Sequence, residues 1–209
     1  MHRKFRTMFA SLAAAASLTV AMTACDSPTG LGSGTLNLFL TDAPGDVLAA
    51  VVTIDQIYLQ PDSGSDAGRI VLRDADVTTD LLTLVDSTHS LVEGVEIPEG
   101  RYRQLRFVIS GAYIVVEGEA GETEIYASSP SYHALPEDAV VTGSLQMPSF
   151  AQSGLKVNLP GDAIVVADDG VVTLVVDFDV SQSFGKLAGG SGRWVMTPVL
   201  QGLVPLTAP

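Results

Sequence analysis

From Gly34 onward the apolar positions fall mostly on alternate residues, in short runs rich in Val, Ile, Leu and Thr. That is the spacing of strands with one face in a core and one in water. Leu36, Leu38 and Leu40 share one face of the run from Thr35 to Leu40. The clearest segment runs from Val171 to Val180: Val172, Leu174, Val176, Phe178 and Val180 point one way, and Thr173, Val175, Asp177 and Asp179 the other. Leu105, Phe107 and Ile109 alternate with Gln104, Arg106 and Val108, and Leu155, Val157 and Leu159 with Lys156 and Asn158. Half-wet strands predict antiparallel pairing in a sandwich, because parallel strands covered on both faces would be apolar throughout.

Turn residues separate these runs at Asp42 to Asp46, Pro61 to Gly68, Pro98 to Gly100, Gly118 to Gly121, Asp168 to Gly170 and Gly189 to Gly192. Helical signal is weak. The best short candidate is Asp80 to Asp86, which reads equally as a strand or a single turn. The stretch from Ser128 to Ser153 is the least regular and is expected to be a long loop, with or without one short strand. No repeat and no internal linker appears, so one sandwich domain is expected over residues 34–204, followed by a tail at 205–209.

The amino terminus has a different pattern. Arg3, Lys4 and Arg6 precede an uncharged run of 15 residues from Thr7 to Ala21, too short to span a bilayer and of the length of a signal-peptide core. Met22-Thr23-Ala24-Cys25 follows, resembling a lipobox, in which small residues precede a cysteine that is acylated and becomes the mature amino terminus. Residues 1–24 are therefore expected to be a lipoprotein signal peptide. Residues 25–33 then form the lipidated Cys25 and a Pro/Gly/Ser tether. The expected membrane partner is the bilayer itself, held through acyl chains on Cys25, which places the protein in a bacterial cell envelope, periplasmic or at the cell surface.

Charge and cysteine content narrow the function classes. With 24 acids against 11 bases the chain carries −13, a poor match for nucleic acid, whose binding needs clustered Lys and Arg. A single cysteine excludes an internal disulfide. The three bases ahead of Cys25 leave eight for the rest of the chain against all 24 acids, so the mature part stands at −16.

Chemistry is sparse. There is no G-x-S-x-G, H-E-x-x-H or Walker loop, and no catalytic residue is assigned. His89 and His133 sit in polar stretches read as loops; an alternative hydrolase would use His133 with a loop carboxylate or serine. No cofactor is required by any motif, but hard oxygen ligands make calcium the metal to consider. The candidate ligands are Asp177 with Asp179, two residues apart on one strand face, and Asp42 with Asp46. Asp74, Asp76 and Asp80 imitate an EF-hand start, but Thr79 stands where Gly is needed. Against the metal stands a simpler expectation: Arg103, Arg106 or Lys156 on a neighbouring strand neutralises the Asp177–Asp179 pair, and Asp42 caps a turn. Tyr126, Tyr132 and Phe150 are the candidate ligand contacts, since an irregular region is not expected to bury all its aromatics.

Several phrases in order, GTLNLFLTDAPGD, VVTIDQIYL, TTDLLTL, IPEGRYRQLRFVI, LQMPSFAQSGLKVNL, TLVVDFD and RWVMTPVL, resemble the bacterial lipoprotein family called domain of unknown function 4382. The resemblance implies an extracytoplasmic β-sandwich, often behind a lipobox, with no established activity. Pro98 to Tyr102 is similar to the turn-and-strand phrase of transthyretin-like sandwiches, where the aromatic packs inward. The expected fold is thus all-β: a single antiparallel β-sandwich, transthyretin-like or immunoglobulin-like, behind a signal peptide. The expected function is non-catalytic recognition or structure at the envelope, with a glycan or protein ligand and no nucleic acid. The alternative is a calcium-stabilised adhesion or pilus-associated subunit, or a module whose unpaired edge strand accepts a partner's strand.

Overall fold

A computed structural model describes residues 32–43, 45–62, 68–147, 154–186 and 193–203. Almost all of them lie in or between strands, and the alternation seen in the sequence becomes two sheets packed face to face. The smaller sheet contains β1 (Ser33–Ala43), β5 (His89–Pro98), β11 (Val171–Asp179) and β14 (Leu200–Gly202), in the order β14-β11-β1-β5.

The larger sheet is built on two long strands, β2 (Ala49–Pro61) and β6 (Gly100–Glu117), paired antiparallel along most of their length. β3 (Ile70–Arg73) and β4 (Val77–Asp80) both pair with β2. The far edge of β6 is shared: β7 (Thr123–Ala127) takes its C-terminal half, and β9 (Leu155–Val157) and β10 (Ile164–Val166) take its N-terminal half. Beyond β7 come β8 (Gly143–Gln146), β13 (Arg193–Met196) and β12 (Phe184–Lys186).

The sandwich is all-β as expected, but its sheets are mixed rather than purely antiparallel. β1 runs parallel to β11, and β8 runs parallel to both β7 and β13. The periodicity is nonetheless obeyed, with Leu36 opposite Val172, Leu38 opposite Leu174 and Leu40 opposite Val176, all buried. Their wet-face neighbours Asn37 and Thr173 join by a side-chain hydrogen bond of 3.4 Å. Parallel strands are usually covered on both faces because helices form their crossovers. Here most of the larger sheet is the crossover between β1 and β11, so it covers one face only and the other stays polar.

The main core lies between the sheets, where Leu36, Leu38, Leu40, Leu174, Val176 and Phe178 meet Ile54, Ile57, Leu59, Leu105, Phe107 and Ile109. A second, smaller core sits on the outer face of the larger sheet, where Tyr132 packs with Val51, Tyr113 and Ala127, themselves register partners on β2, β6 and β7. Gly111 makes room for it, since a Cβ there would lie 2.3 Å from the Tyr132 ring. The Tyr132 hydroxyl hydrogen-bonds the hydroxyl of fully buried Thr53, which also bonds Thr78 at 2.7 Å.

Local details follow side-chain capping. Asp80 to Asp86 holds a short 3-10 turn at Leu81–Leu84, capped by the Asp80 carboxylate on the Leu82 N–H at 3.2 Å. One helical turn not foreseen, α1 (Val180–Ser183), follows β11. Among the described residues, the stretch from Ser128 to Gln146 contains the single short strand β8. Tyr102 packs inward and donates its hydroxyl to the Pro98 carbonyl at 2.7 Å.

The edge strand β5 does not offer the open flat edge that strand acceptance requires. It is kinked at Gly94 (φ +65°), whose N–H goes to the Asn37 side chain, and it carries Glu93 and Glu96. Arg73 also donates to its Leu91 carbonyl at 2.9 Å. Kinks and charges of this kind are how sheet edges resist further pairing.

Candidate functional site

Cys25 and Phe150 lie outside the described residues. The remaining sequence-predicted residues fall in three places.

Asp177 and Asp179 point to the wet face of the smaller sheet, whereas Asp42, next to last in β1 and opposite Phe178, lies on its core face. Asp179 is the cap of α1: it accepts hydrogen bonds from the Ser181 hydroxyl at 2.6 Å, the Gln182 backbone N–H at 3.1 Å and the Gln182 side chain. The Ser181 hydroxyl, with the Gln182 donors behind it, holds its carboxyl below the usual range. Asp42 is buried and accepts from the Val180 N–H at 3.1 Å, so it caps the same turn from the neighbouring strand. Asp46 is exposed and lines a cleft of about 340 Å³ with Glu117, Ser181 and Trp194. Two of the four proposed calcium ligands are therefore engaged as caps, and no three His, Cys, Asp or Glu side chains among the described residues are grouped to hold a metal ion.

The expected neutralising cations are elsewhere. Asp177 lies opposite Thr41 of β1 and Gln201 of β14, whereas Arg103, Arg106 and Lys156 belong to β6 and β9 of the other sheet. The strand that bears both aspartates and the basic strands share a periodicity but not a sheet, which is why spacing alone mispaired them. Asp177 Oδ1 is consequently buried without a hydrogen-bond partner among the described residues. Burial, reinforced by the charge of Asp179, pushes its carboxyl up from the ordinary value. An acid with a raised folded pKa is stabilising when protonated. The penalty of its ionisation appears as pH rises above the unfolded carboxylate value and is complete above the folded one. Asp177→Asn is expected to raise the thermal midpoint at pH 7 and to leave it nearly unchanged at pH 3, read from melts at the two pH values.

Tyr126 and Tyr132 are both buried rather than displayed for a ligand. Tyr126 sits in β7, packs on Trp194 with ring centroids 5.7 Å apart, and donates its hydroxyl to Glu124 at 2.8 Å. Tyr132 fills the second core. The described part of the irregular stretch buries Tyr132 because it lies down on the outer sheet face instead of standing off as a free loop. His133 is exposed, resting edge-on against Tyr132 at 4.9 Å, with no hydrogen-bonded carboxylate or hydroxyl among the described residues. His89 begins β5 opposite Leu40 instead of lying in a loop.

Two further open clefts are lined by described residues. One, of about 610 Å³, lies where β6 passes from β9 to β7, with Ser110, Ser128, Ser144 and Gln146 on its walls. The other, of about 350 Å³, lies on the outer face near β9 and contains Arg103, Gln104, Lys156 and Asn158, residues that sequence reasoning had assigned to charge neutralisation or to a solvated strand face. The available signal was the concentration of bases in Arg101, Arg103 and Arg106, three of the eight that follow Cys25.

Comparison with curated proteins and with solved structures gives no match. A family model does match, over residues 33–198, from the first residue of β1 to just beyond β13. Its span takes in every strand but β14 and every cleft described above, so the chain belongs to the family described as Domain of unknown function (DUF4382).

Proposed function

We propose that this protein is a lipid-anchored recognition domain of the bacterial cell envelope, attached through acyl chains on Cys25 and binding its ligand through the sandwich. The observation that carries this reading is the position of the chain's single cysteine. It closes a lipobox-like Met-Thr-Ala-Cys after a basic start and a 15-residue uncharged run, and it stands eight residues before β1 begins at Ser33. An extended chain of that length reaches about 25 to 30 Å. The domain would be held within one domain diameter of the lipid surface. A single acyl chain binds reversibly, and the two or three of a lipoprotein hold firmly.

The test is a Cys25→Ser variant followed by acyl labelling and membrane fractionation. Wild type is expected to incorporate labelled palmitate and to sediment with membranes. The variant is expected to lose the label entirely and to leave the membrane fraction. Retention of both label and sedimentation by the variant would sink the anchor.

A further inference from the structure

More than half of the domain's few cations lie together. Of the eight bases after Cys25, Arg101, Arg103, Arg106 and Lys156 lie on β6 and β9, and Arg69 lies close by, over the ring of Tyr58 at 5.0 Å. Tyr58, Arg106 and Lys156 are register partners on β2, β6 and β9, so they share the outer face of the larger sheet. Two carboxylates lie among these bases: Asp62, 2.7 Å from Arg103 and 3.9 Å from Arg101, and Asp162, which lines the cleft with them.

We propose that the cleft formed by Arg103, Gln104, Lys156 and Asn158 binds an acidic saccharide, a sugar unit bearing a carboxylate or phosphate. This deepens, and rests on, the reading of the protein as an envelope recognition domain. The cleft presents donors. Arg106 Nε donates to Gln104 Oε1 at 2.9 Å and Arg106 Nη1 to the Gly154 carbonyl at 3.1 Å, which fixes the Gln104 amide with its oxygen taken and its amino group available. Lys156 is exposed and has neither an ion pair nor a hydrogen bond among the described residues. It stands directly opposite Arg106, and like charges in that cross-strand position repel. A bound oxyanion removes the repulsion and gains charge-assisted hydrogen bonds.

The geometry favours a saccharide over the other anionic polymers. The size, about 350 Å³, lies in the range of small-ligand sites. The side-chain amides of Gln104 and Asn158 suit the hydroxyls that accompany a sugar acid. An acidic peptide that binds by strand addition needs a free backbone edge, and here β6 is already paired with β2 on one side and with β9 and β10 on the other.

The experiment is titration calorimetry of the full-length protein purified in neutral detergent. Polygalacturonate and a phosphorylated mannan serve as probes, against dextran, polyglutamate and phosphatidylglycerol vesicles. Saturable binding of at least one acidic polysaccharide is expected, weakened by salt and absent for dextran. The double variant Arg103→Gln/Lys156→Gln is expected to lose about tenfold in affinity with an unchanged melt, whereas Arg193→Gln, on distant β13, changes nothing. The proposal is overturned if neither polysaccharide binds, if polyglutamate or vesicles bind equally well, or if the double variant binds as wild type does. Membrane attachment is scored separately. Lost polysaccharide binding with intact attachment removes this site alone, and lost attachment with intact binding removes the anchor alone.

Discussion

Phe107→Ala is expected to lower stability by about 3 to 5 kcal/mol, the cost of deleting a large aromatic from a core that cannot collapse around the gap. Phe107 is fully buried, sits opposite Ile57 on one side and Leu155 on the other, and so holds three strands of the larger sheet to the main core. Against a typical domain stability of about 5 to 15 kcal/mol, this loss leaves a marginal fold or none. Urea unfolding followed by the fluorescence of Trp194, the sole tryptophan, measures it. A midpoint shift equivalent to under 1 kcal/mol would show that the ring is not wedged between the sheets as described.

Gly111→Val tests the second core. Its Cβ would meet Tyr132 carbons at 2.3 and 2.6 Å, and the branched side chain adds two more atoms in the same space, so the tyrosine must leave. Overpacking of this kind costs about 1 to 3 kcal/mol. The departure also breaks the Tyr132–Thr53 hydrogen bond in a site with no exposure at Thr53. The distinctive readout is local: amide exchange should rise through residues 128–142 while the backbone of β1 and β11 stays protected. Tyr132→Phe removes only the hydroxyl and should cost about 1 kcal/mol, leaving the loop seated. Equal exchange in wild type and Gly111→Val would show that the loop is held by something other than this ring.

These two positions illustrate how unevenly the fold could be read. The alternation of Leu105, Phe107 and Ile109 names a buried face because a strand has only two faces, and burial is decided residue by residue. Which strand lies beside it is a different matter. The pattern of β11 fits a parallel neighbour as well as an antiparallel one, so the pairing of β1 with β11 was invisible. For the same reason Asp177 was matched with Arg103, Arg106 and Lys156, which lie in the other sheet. Gly111, alone in the apolar run from Phe107 to Val116, was a legible sign that something approaches the strand closely. That something is Tyr132, whose burial local polarity did not suggest. Asp179 and Gln182 likewise have the three-residue spacing of a capping pair, and that spacing marks the turn which engages Asp179.

The pairing of β1 with β11 also governs the order in which the protein can assemble. A chain that emerges amino terminus first exposes β1 with its parallel partner β11 still more than 130 residues away. The β1–β5 and β2–β6 pairs are available much earlier, once β6 ends at residue 117, whereas β11 closes on β1 only after residue 179 has emerged. Contacts at such sequence separation make folding slow, because the loop entropy must be overcome before the contacts contribute. The nascent domain is thus kept open until nearly its whole length is synthesised, a kinetic property that would suit the export which the proposed envelope location requires.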